Sequence, residues 1–330
     1  MDLDYNYLEI IGKILNKGVR KPNRTGIDTL SIFNQMIETP EIGFDGFPIS
    51  KVREIYYKGA IIEALWILGI HQNDEKYCNL PFTNTKYLED NGVKYWRPWQ
   101  DKDGNLGPVY GAQLSRWKKY KQPELVMDDG DNAPQITYIN QVQQVIDTLL
   151  KDKYSRHLVC SMWNPAELED MALPPCHYAF EFYVRPAKQT DDSKWNPDRL
   201  DLRFIQRSCD MLIGIPYDIL IYSIILKVVA LCTGFLPGKI YGSLGDCHVY
   251  VNQIEQAKPL FNLYRSKAYS EASEVFRDGL TQMKINDYLM NKWQSRALGY
   301  PKLSDFNPDG SDFEVINYKS LPKIQIPVAI

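Results

Sequence analysis

The sequence predicts a single α/β domain. Segments in which apolar residues recur at helical spacing alternate with segments of strand-like alternation. Of the 330 residues, 44% are hydrophobic and 24% charged, which is typical of a globular protein with a substantial core. Because no internal repeat or flexible linker interrupts the chain, we assign residues 1–330 to one domain, with a surface loop at 185–200.

In the N-terminal part, two predicted helices surround a loop and a strand. Residues 4–17 and 58–70 show helical spacing of apolar residues. Between them lie a turn-rich loop at 21–26 (KPNRTG) and a strand-like alternation at 29–38. Glu63 stands among the apolar residues of the second helix, so the pattern places a carboxylate against the core.

In the middle of the chain, the sequence pattern predicts a loop, a helix and three strands. Residues 93–111 contain DKDGN, which resembles the start of a calcium loop, but the glutamate expected at its twelfth position is missing. A hairpin or loop is therefore predicted there. Residues 137–151 predict an amphipathic helix, and residues 157–164, 177–185 and 201–208 predict strands.

Charge and hydropathy argue against several classes of function. The net charge of −3 and the lack of a basic run argue against a nucleic-acid polymer as ligand, but a small anion held by a few arginines is compatible with them. Residues 219–236 are apolar, but Lys227 interrupts them, so a buried helix is predicted rather than a membrane span. The acidic N-terminus does not resemble a signal peptide, and we expect a cytoplasmic protein.

One of the six cysteines has the surroundings of a nucleophile. The cysteines form no CxxC pair and no histidine stands at ligand spacing from one, so free thiols and no bound metal are expected. In LPPCHYAFEFYV (173–184), two prolines fix the backbone before Cys176. A lone cysteine in a strand is more often a buried apolar residue, but Arg207 is available to lower its pKa. In a regular strand His177 points to the opposite face, which argues against a Cys-His dyad.

The segment QRSCDMLIGIPYDI (206–219) combines polar groups with a turn. Arg207 and Ser208, at the end of a strand, are suited to bind phosphate through a guanidinium and a hydroxyl. Asp210 is either a helix cap or a partner for a polar group of a ligand. Gly214 allows a ligand to approach the backbone closely.

A third segment, GDCHVYVNQ (245–253), reads as a turn followed by a strand. It places His248 and Tyr250 on one face, a pair that is often purely structural. Taken together, the three segments resemble the thymidylate synthase family. Further segments resemble it in the family's order, namely NRTGIDTLSIF, IIEALWIL, YWRPWQDKDGNLGPVYGAQ, SRHLVCSMWNP and the terminal IQIPVAI.

The resemblance implies a large mixed sheet flanked by helices, a sheet-on-sheet homodimer, and one-carbon transfer from 5,10-methylenetetrahydrofolate to C5 of a pyrimidine nucleoside monophosphate. Cys176 would add to C6 of the base, and the catalytic residues would be Cys176, Glu63, Tyr110, Asn164 and Asp210. The 5′-phosphate would contact Arg24, Arg207, Ser208 and, from the other subunit, Arg156. The sugar 3′-hydroxyl would contact His248 and Tyr250. The folate would contact Trp96, Trp99, Leu173, Asp210, Gly214, Tyr217 and Ala329.

Three residues of the substrate site depart from the family pattern. His157 follows Arg156 where a second arginine is usual, which weakens a phosphate contact or makes it pH-dependent. Glu181 replaces a glutamine and would bring an acid near the base. Asp218 replaces the asparagine that reads uracil.

Asp218 decides which base the sequence predicts. A carboxylate at this place can be a helix N-cap, a group that reads cytosine, whose N4 amino group donates hydrogen bonds, or both. An ionised aspartate facing O4 of uracil would oppose two acceptors. The deviation resembles deoxycytidylate hydroxymethylases, and we expect hydroxymethylation of dCMP.

Other outcomes stay open at this stage. Trp96 and the PVAI tail resemble the methylating enzymes, because a closed tail excludes water. The alternatives are therefore methylation of the cytosine nucleotide, or a thymidylate synthase acting on dUMP. A non-catalytic nucleotide-binding homologue and a cysteine hydrolase are more remote, since the nucleophile is present and no histidine is placed as its base.

Overall fold

The computed structural model describes residues 3–121, 135–187, 198–266, 280–295 and 299–328. Its helices are α1 (Leu3–Lys17), α2 (Tyr57–Ile67), α3 (Lys86–Asp90), α4 (Gly111–Ser115), α5 (Gln141–Lys151), α6 (Gly214–Thr233), α7 (Ile254–Arg265) and α8 (Asp287–Ser295). Its strands are β1 (Val19–Lys21), β2 (Thr29–Glu38), β3 (Gly46–Phe47), β4 (Trp117–Lys121), β5 (Gln135–Ile139), β6 (Val159–Ser161), β7 (His177–Arg185), β8 (Arg199–Asp210), β9 (Leu236–Tyr250), β10 (Thr281–Ile285) and β11 (Phe313–Ile316). Most of the surface loop predicted at 185–200 lies outside the described residues.

A mixed sheet organises the described part of the chain, as predicted. Its strand order is β1-β2-β9-β8-β7-β6. Strands β8 and β9 pair in parallel, and the other neighbours pair antiparallel. Helix α6 connects the two parallel strands, as a crossover connection requires. Two smaller sheets have the orders β11-β10-β3 and β4-β5.

The two faces of this sheet differ in burial. Directly paired residues share a face, and one row of them across five strands is fully buried: Cys160, Phe180, Phe204, Gly242 and Ile37. On this face the Tyr222 ring of α6 stacks on Phe204, with ring centroids 4.6 Å apart. The adjacent row on the other face is partly or fully exposed: Val159, Glu181, Arg203, Tyr241 and Glu38.

Helix α6 is the central core helix. It is long and apolar enough to cross a membrane, with a mean hydropathy of 1.9, but 94% of that stretch is buried inside the protein. This agrees with the buried helix predicted from the sequence. The helix ends at Gly234, whose φ of +80° is the left-handed conformation that favours glycine.

Two local predictions are wrong. Residues 137–139 belong to β5, because Asn140 caps α5 by accepting a hydrogen bond from the Gln143 N–H (2.9 Å) and so starts the helix later. The turn expected in GDCHVYVNQ is absent, since Gly245 lies within β9. The glycine is needed there because a Cβ atom would come within 3.1 Å of the Arg207 carbonyl oxygen.

We predict that Lys227 makes stability depend on pH. It is fully buried in α6, and its Nζ donates to the carbonyls of Gly43 (2.8 Å) and Phe44 (2.7 Å). Burial lowers its pKa to about 7. Since the unfolded chain holds the proton up to the ordinary pKa of 10.5, the free energy of unfolding should rise between about pH 7 and 10. At about 1.4 kcal/mol per pKa unit the rise should be a few kcal/mol.

Denaturant unfolding at several pH values, compared with Lys227→Met, measures this contribution. The variant should lack this part of the slope, whatever its overall stability. A pH dependence identical to that of the wild type would show that Lys227 is not the group responsible.

Candidate active site

A cavity of about 520 Å³ lies where the ends of β8 and β9 meet the start of α6. The β1–β2 loop, α2, and the segments before α4 and β7 complete its walls. The structure thus brings most of the predicted site together in one place. The predicted residues that line the cavity are Arg24, Glu63, Trp96, Trp99, Tyr110, Leu173, Cys176, Arg207, Ser208, Asp210, Gly214, Tyr217, Asp218, His248 and Tyr250.

The backbone around Cys176 is held in place by hydrogen bonds. Its N–H donates to the Tyr110 hydroxyl (3.1 Å), and its carbonyl accepts from the Arg207 N–H (2.8 Å). The Arg207 guanidinium donates to the carbonyls of Pro174 and Pro175, both at 2.9 Å. Because proline fixes the backbone as well, the thiol has a defined position just before β7.

The charge environment of Cys176 differs from the expectation. Burial raises the pKa of the thiol, and Arg207 and Arg24 oppose this while Asp218 and Asp210 add to it. Arg207 lowers the pKa as predicted, but burial outweighs it, so the net direction is upward. The thiol form therefore predominates at neutral pH.

His177 also lines the cavity, which the expectation for a regular strand did not include. The pairing of β7 with β8 is irregular between His177 and Ala179. The His177 Nδ1 lies 2.8 Å from the Tyr222 hydroxyl, and its ring packs on Tyr110 with centroids 4.5 Å apart. Burial lowers the pKa of His177 to about 3, so the ring is neutral. With these partners it lies beneath the cavity and is not arranged as a base for Cys176.

Asp218 is not a helix cap, so that alternative is wrong. Helix α6 begins at Gly214, and no side chain caps its first turn. The Asp210 carboxyl instead accepts hydrogen bonds from the N–H groups of Leu212 (3.0 Å) and Ile213 (2.9 Å), which fixes the turn that leads into the helix. Asp218 lies one turn further on, with its carboxyl against the cavity.

The carboxyl of Asp218 is buried, and no lysine or arginine of the described residues pairs with it. Its Oδ2 accepts a hydrogen bond from the Gln206 side chain (2.9 Å), and its Oδ1 lies 3.7 Å from the His177 Nε2. Burial raises the pKa of Asp218 to about 8, the bond from Gln206 opposes this, and Glu63 and Asp210 raise it further. The carboxyl is mainly protonated at neutral pH and can both donate and accept.

Glu63 is buried on α2 with a hydrogen bond to each carboxyl oxygen. The Tyr95 hydroxyl donates to Oε2, and the Trp96 indole donates to Oε1 (2.8 Å). Trp96 in turn packs against Trp99 and Tyr110, with ring centroids 6.0 and 5.8 Å away. Burial raises the pKa of Glu63, and both donors oppose this.

Two arginines bring positive charge to the cavity: Arg24 from the β1–β2 loop and Arg207 near the end of β8. Arg24 lines it from the loop, next to Lys21, which forms an ion pair with Asp246. Burial would raise the pKa of Asp246, but the contacts with His248, Lys21 and Ser31 hold it well below its usual range. The cavity therefore combines cations suited to an anionic group with buried carboxyls suited to a polar ring edge.

Four predicted residues of the described part of the chain do not line its cavity: Arg156, His157, Asn164 and Glu181. Arg156 and His157 are exposed in the segment between α5 and β6. Asn164 donates to the side chains of Gln113 (3.2 Å) and Glu167 (3.1 Å). These contacts fix its side chain, and its role in organising waters and proton transfers stays a prediction.

Glu181 lies away from the cavity, whereas the C-terminal tail reaches it. Glu181 lies on the exposed face of the sheet and forms an ion pair with Arg203 (2.8 Å), so its expected position near the base is wrong. The alternation of β7 turns it away from the α6 side. Ala329 lies outside the described residues, whereas its neighbour Val328 lines the cavity.

Several residues of the cavity were not predicted. Gln206 directly precedes Arg207, Tyr95 directly precedes Trp96, and Asp246 lies two residues before His248 in the segment GDCH. Their position beside recognised motifs was a usable signal. Lys21 begins the loop that carries Arg24, but its contact with Asp246 joins residues far apart in the chain and had no signal in the sequence.

A family model described as thymidylate synthase matches residues 5–330. The match covers nearly the whole chain and contains all the cavity residues named above.

We predict that Arg207→Met shifts the pH dependence of Cys176 alkylation to higher pH. Arg207 opposes the effect of burial on this thiol, so its removal should raise the midpoint further. Iodoacetamide labelling, quantified at the peptide level by mass spectrometry, measures the midpoint. The exposed Cys78 is an internal control whose profile should stay unchanged. An unmoved Cys176 midpoint in a folded variant would contradict the role assigned to Arg207.

Proposed function

The chain belongs to the thymidylate synthase family, and from this premise we propose that it transfers a one-carbon unit to C5 of a cytosine nucleotide, with dCMP as substrate and a hydroxymethyl group as product. Folate-dependent one-carbon transfer to a pyrimidine nucleotide is the activity of the family. The base and the product are the finer parts of the proposal. The observation that carries it is the carboxyl of Asp218, which is buried and does not cap the helix.

Cytosine fits Asp218 because the two can share a proton. A protonated carboxyl donates to the ring nitrogen N3 and accepts from the N4 amino group. If the proton leaves the carboxyl, N3 of cytosine can hold it, so both hydrogen bonds survive. With uracil the carboxyl must keep the proton itself, because the carbonyl O4 is too weak a base to hold it. Once Asp218 is ionised it faces another acceptor, at a cost of about 1–3 kcal/mol.

The remaining polar groups suit a nucleoside monophosphate. Arg24, Arg207 and Ser208 line the cavity, as a phosphate site requires. His248 and Tyr250 lie together near the end of β9, with ring centroids 5.3 Å apart, and are proposed to bind the sugar hydroxyl. Cys176 is proposed to attack C6 of the base, since it is the cysteine that lines the cavity in the described part of the chain.

The wall of the cavity also fits a folate. Trp96, Trp99, Leu173, Tyr217 and Val328 form an aromatic and apolar surface beside Cys176. Such a surface is suited to a flat ring system. When bound, 5,10-methylenetetrahydrofolate supplies the one-carbon unit. The residues of the wall would hold it beside the base and keep bulk water out.

Methylation is a second candidate outcome, and the tail favours it. The Gln253 side chain donates to the Pro327 carbonyl (2.8 Å), which holds the tail so that Val328 reaches the cavity. A tail in this position excludes water, and without water a hydride would reduce the one-carbon unit to a methyl group. Stoichiometric formation of dihydrofolate would identify this outcome.

We further propose a homodimer that joins the exposed faces of two sheets. Met36 and Val159 are 58% and 51% exposed on this face, which is unusual for apolar side chains on a large sheet. Arg156 is exposed next to β6 and lies outside its own cavity. In such a dimer it would complete the phosphate site of the partner.

We predict that Asp218→Asn moves the preference from dCMP towards dUMP. The amide donates to O4 and accepts from N3–H, so relative kcat/KM should shift about tenfold to a hundredfold. Wild-type activity on dCMP should fall as the pH rises above about 8, where Asp218 loses its proton. Incubation with methylenetetrahydrofolate and dUMP, dCMP or CMP, followed by mass spectrometry, identifies substrate and product together.

Asp210→Asn is the matched control, because it changes a carboxyl of the same cavity that fixes a turn. It should lower activity without changing the choice of base. If the wild type prefers dUMP and Asp218→Asn leaves the ratio unchanged, the assignment of cytosine is wrong.

We predict that inactive Cys176→Ser and Arg156→Ala protomers regain activity when mixed. One of the two sites in a mixed dimer then has both the thiol and the arginine from its partner. Activity after subunit exchange, with exchange confirmed by mass spectrometry of tagged subunits, measures the effect. A mixture of Cys176→Ser with Cys176→Ala should stay inactive. No recovery after complete exchange would argue against a shared site.

A further inference from the structure

Tyr95 lines the cavity, but no role was predicted for it from the sequence. It lies in the loop before the 3₁₀ turn Arg97–Trp99 and lines the cavity next to Glu63. Its hydroxyl donates to Glu63 Oε2, so the phenol and the carboxyl form one hydrogen-bonded unit at the cavity wall.

The two donors to Glu63 differ in exposure. Trp96 is 8% exposed and packs among aromatic rings, including Trp66 at 5.8 Å, so it is a fixed partner for Oε1. Tyr95 is 44% exposed and borders the open cavity. The Oε2 side of Glu63 is therefore the side on which a small molecule in the cavity can join or replace a hydrogen bond.

The surroundings of Glu63 make this hydrogen bond important for its charge. Burial raises the pKa of Glu63, and the bond from Tyr95 is the larger of the two that oppose it. Among the described residues, the other titratable groups that interact with Glu63 are Tyr110, before α4, and Asp218, on α6. Neither supplies a positive charge, so the two neutral donors are the groups that favour the carboxylate.

We infer that Tyr95 is a positioning residue for Glu63: its hydroxyl holds the carboxylate in the orientation and charge state that accept a proton from a water molecule adding to the one-carbon unit. This inference rests on the proposed hydroxymethylation. It assigns the water-activating step to the pair Tyr95–Glu63 and the reading of the base to Asp218.

The step is balanced without an oxidant or a reductant. The water oxygen forms a bond to the exocyclic methylene carbon on C5 of the nucleotide, and the π bond between that carbon and C5 breaks. Its electron pair passes into the ring and then forms the C5–C6 double bond as the Cys176 thiolate leaves C6. The proton that water loses goes to Glu63.

Tyr95→Phe tests the inference because it removes only the hydroxyl. The rate of hydroxymethyl product formation should fall about tenfold to a hundredfold, as expected for a lost hydrogen bond to a charged group, while KM for dCMP stays close to the wild-type value. Since the pKa of Glu63 should rise further, the acid limb of the pH profile of kcat should move to higher pH. Tyr120→Phe, an exposed tyrosine of β4 outside the cavity, should change neither.

A double variant separates action through Glu63 from a general structural effect. In a Glu63→Gln background, Tyr95→Phe should cause little further loss, because the group it positions is already gone. Long incubations with quantification by mass spectrometry make the low residual rates measurable. Losses that multiply independently in the double variant would overturn the inference.

The outcomes also separate this inference from the proposed function. A wild type that forms only methylated product would overturn the proposed hydroxymethylation and the water step together. If the wild type forms the hydroxymethyl product, and Tyr95→Phe keeps its full rate and its acid limb, then the inference about Tyr95 alone is wrong.

Discussion

The parallel pairing of β8 with β9 is the constraint on which the site depends. In this register Ser208 lies opposite Asp246 and Asp210 opposite His248, so two segments far apart in the chain present polar groups side by side. A parallel pair needs a crossover, and α6 supplies it. Because α6 starts where β8 ends, Asp218 in its first turns is brought to the same place.

The neighbouring antiparallel strand adds the nucleophile to this arrangement. His177, at the start of β7, lies opposite Gln206 on β8, and Arg207 binds the carbonyls just before it. Cys176 is therefore fixed by the same strand that carries the predicted phosphate ligands. The Arg207 guanidinium thus has two effects: it holds the backbone before Cys176, and its positive charge lowers the pKa of the thiol.

The sequence predicted the fold class and most of the cavity, because contiguous motifs carry both. It failed where position depends on contacts between distant segments. Glu181 faces the exposed side of the sheet and pairs with Arg203, which no motif indicates. The alternative role of Asp218 as a cap failed for a related reason, since the exact start of a helix depends on the turn that precedes it.

The environments of Glu63 and Asp218 assign them different tasks. Both carboxyls are buried, and burial raises the pKa of each. Glu63 receives two hydrogen bonds, whereas Asp218 receives one and is also repelled by Glu63 and Asp210. The first arrangement favours a carboxylate that accepts a proton, and the second favours a neutral acid that shares one with the base. Two acids in one cavity can therefore serve as proton acceptor and base reader without exchanging roles, because each makes ionisation of the other less favourable.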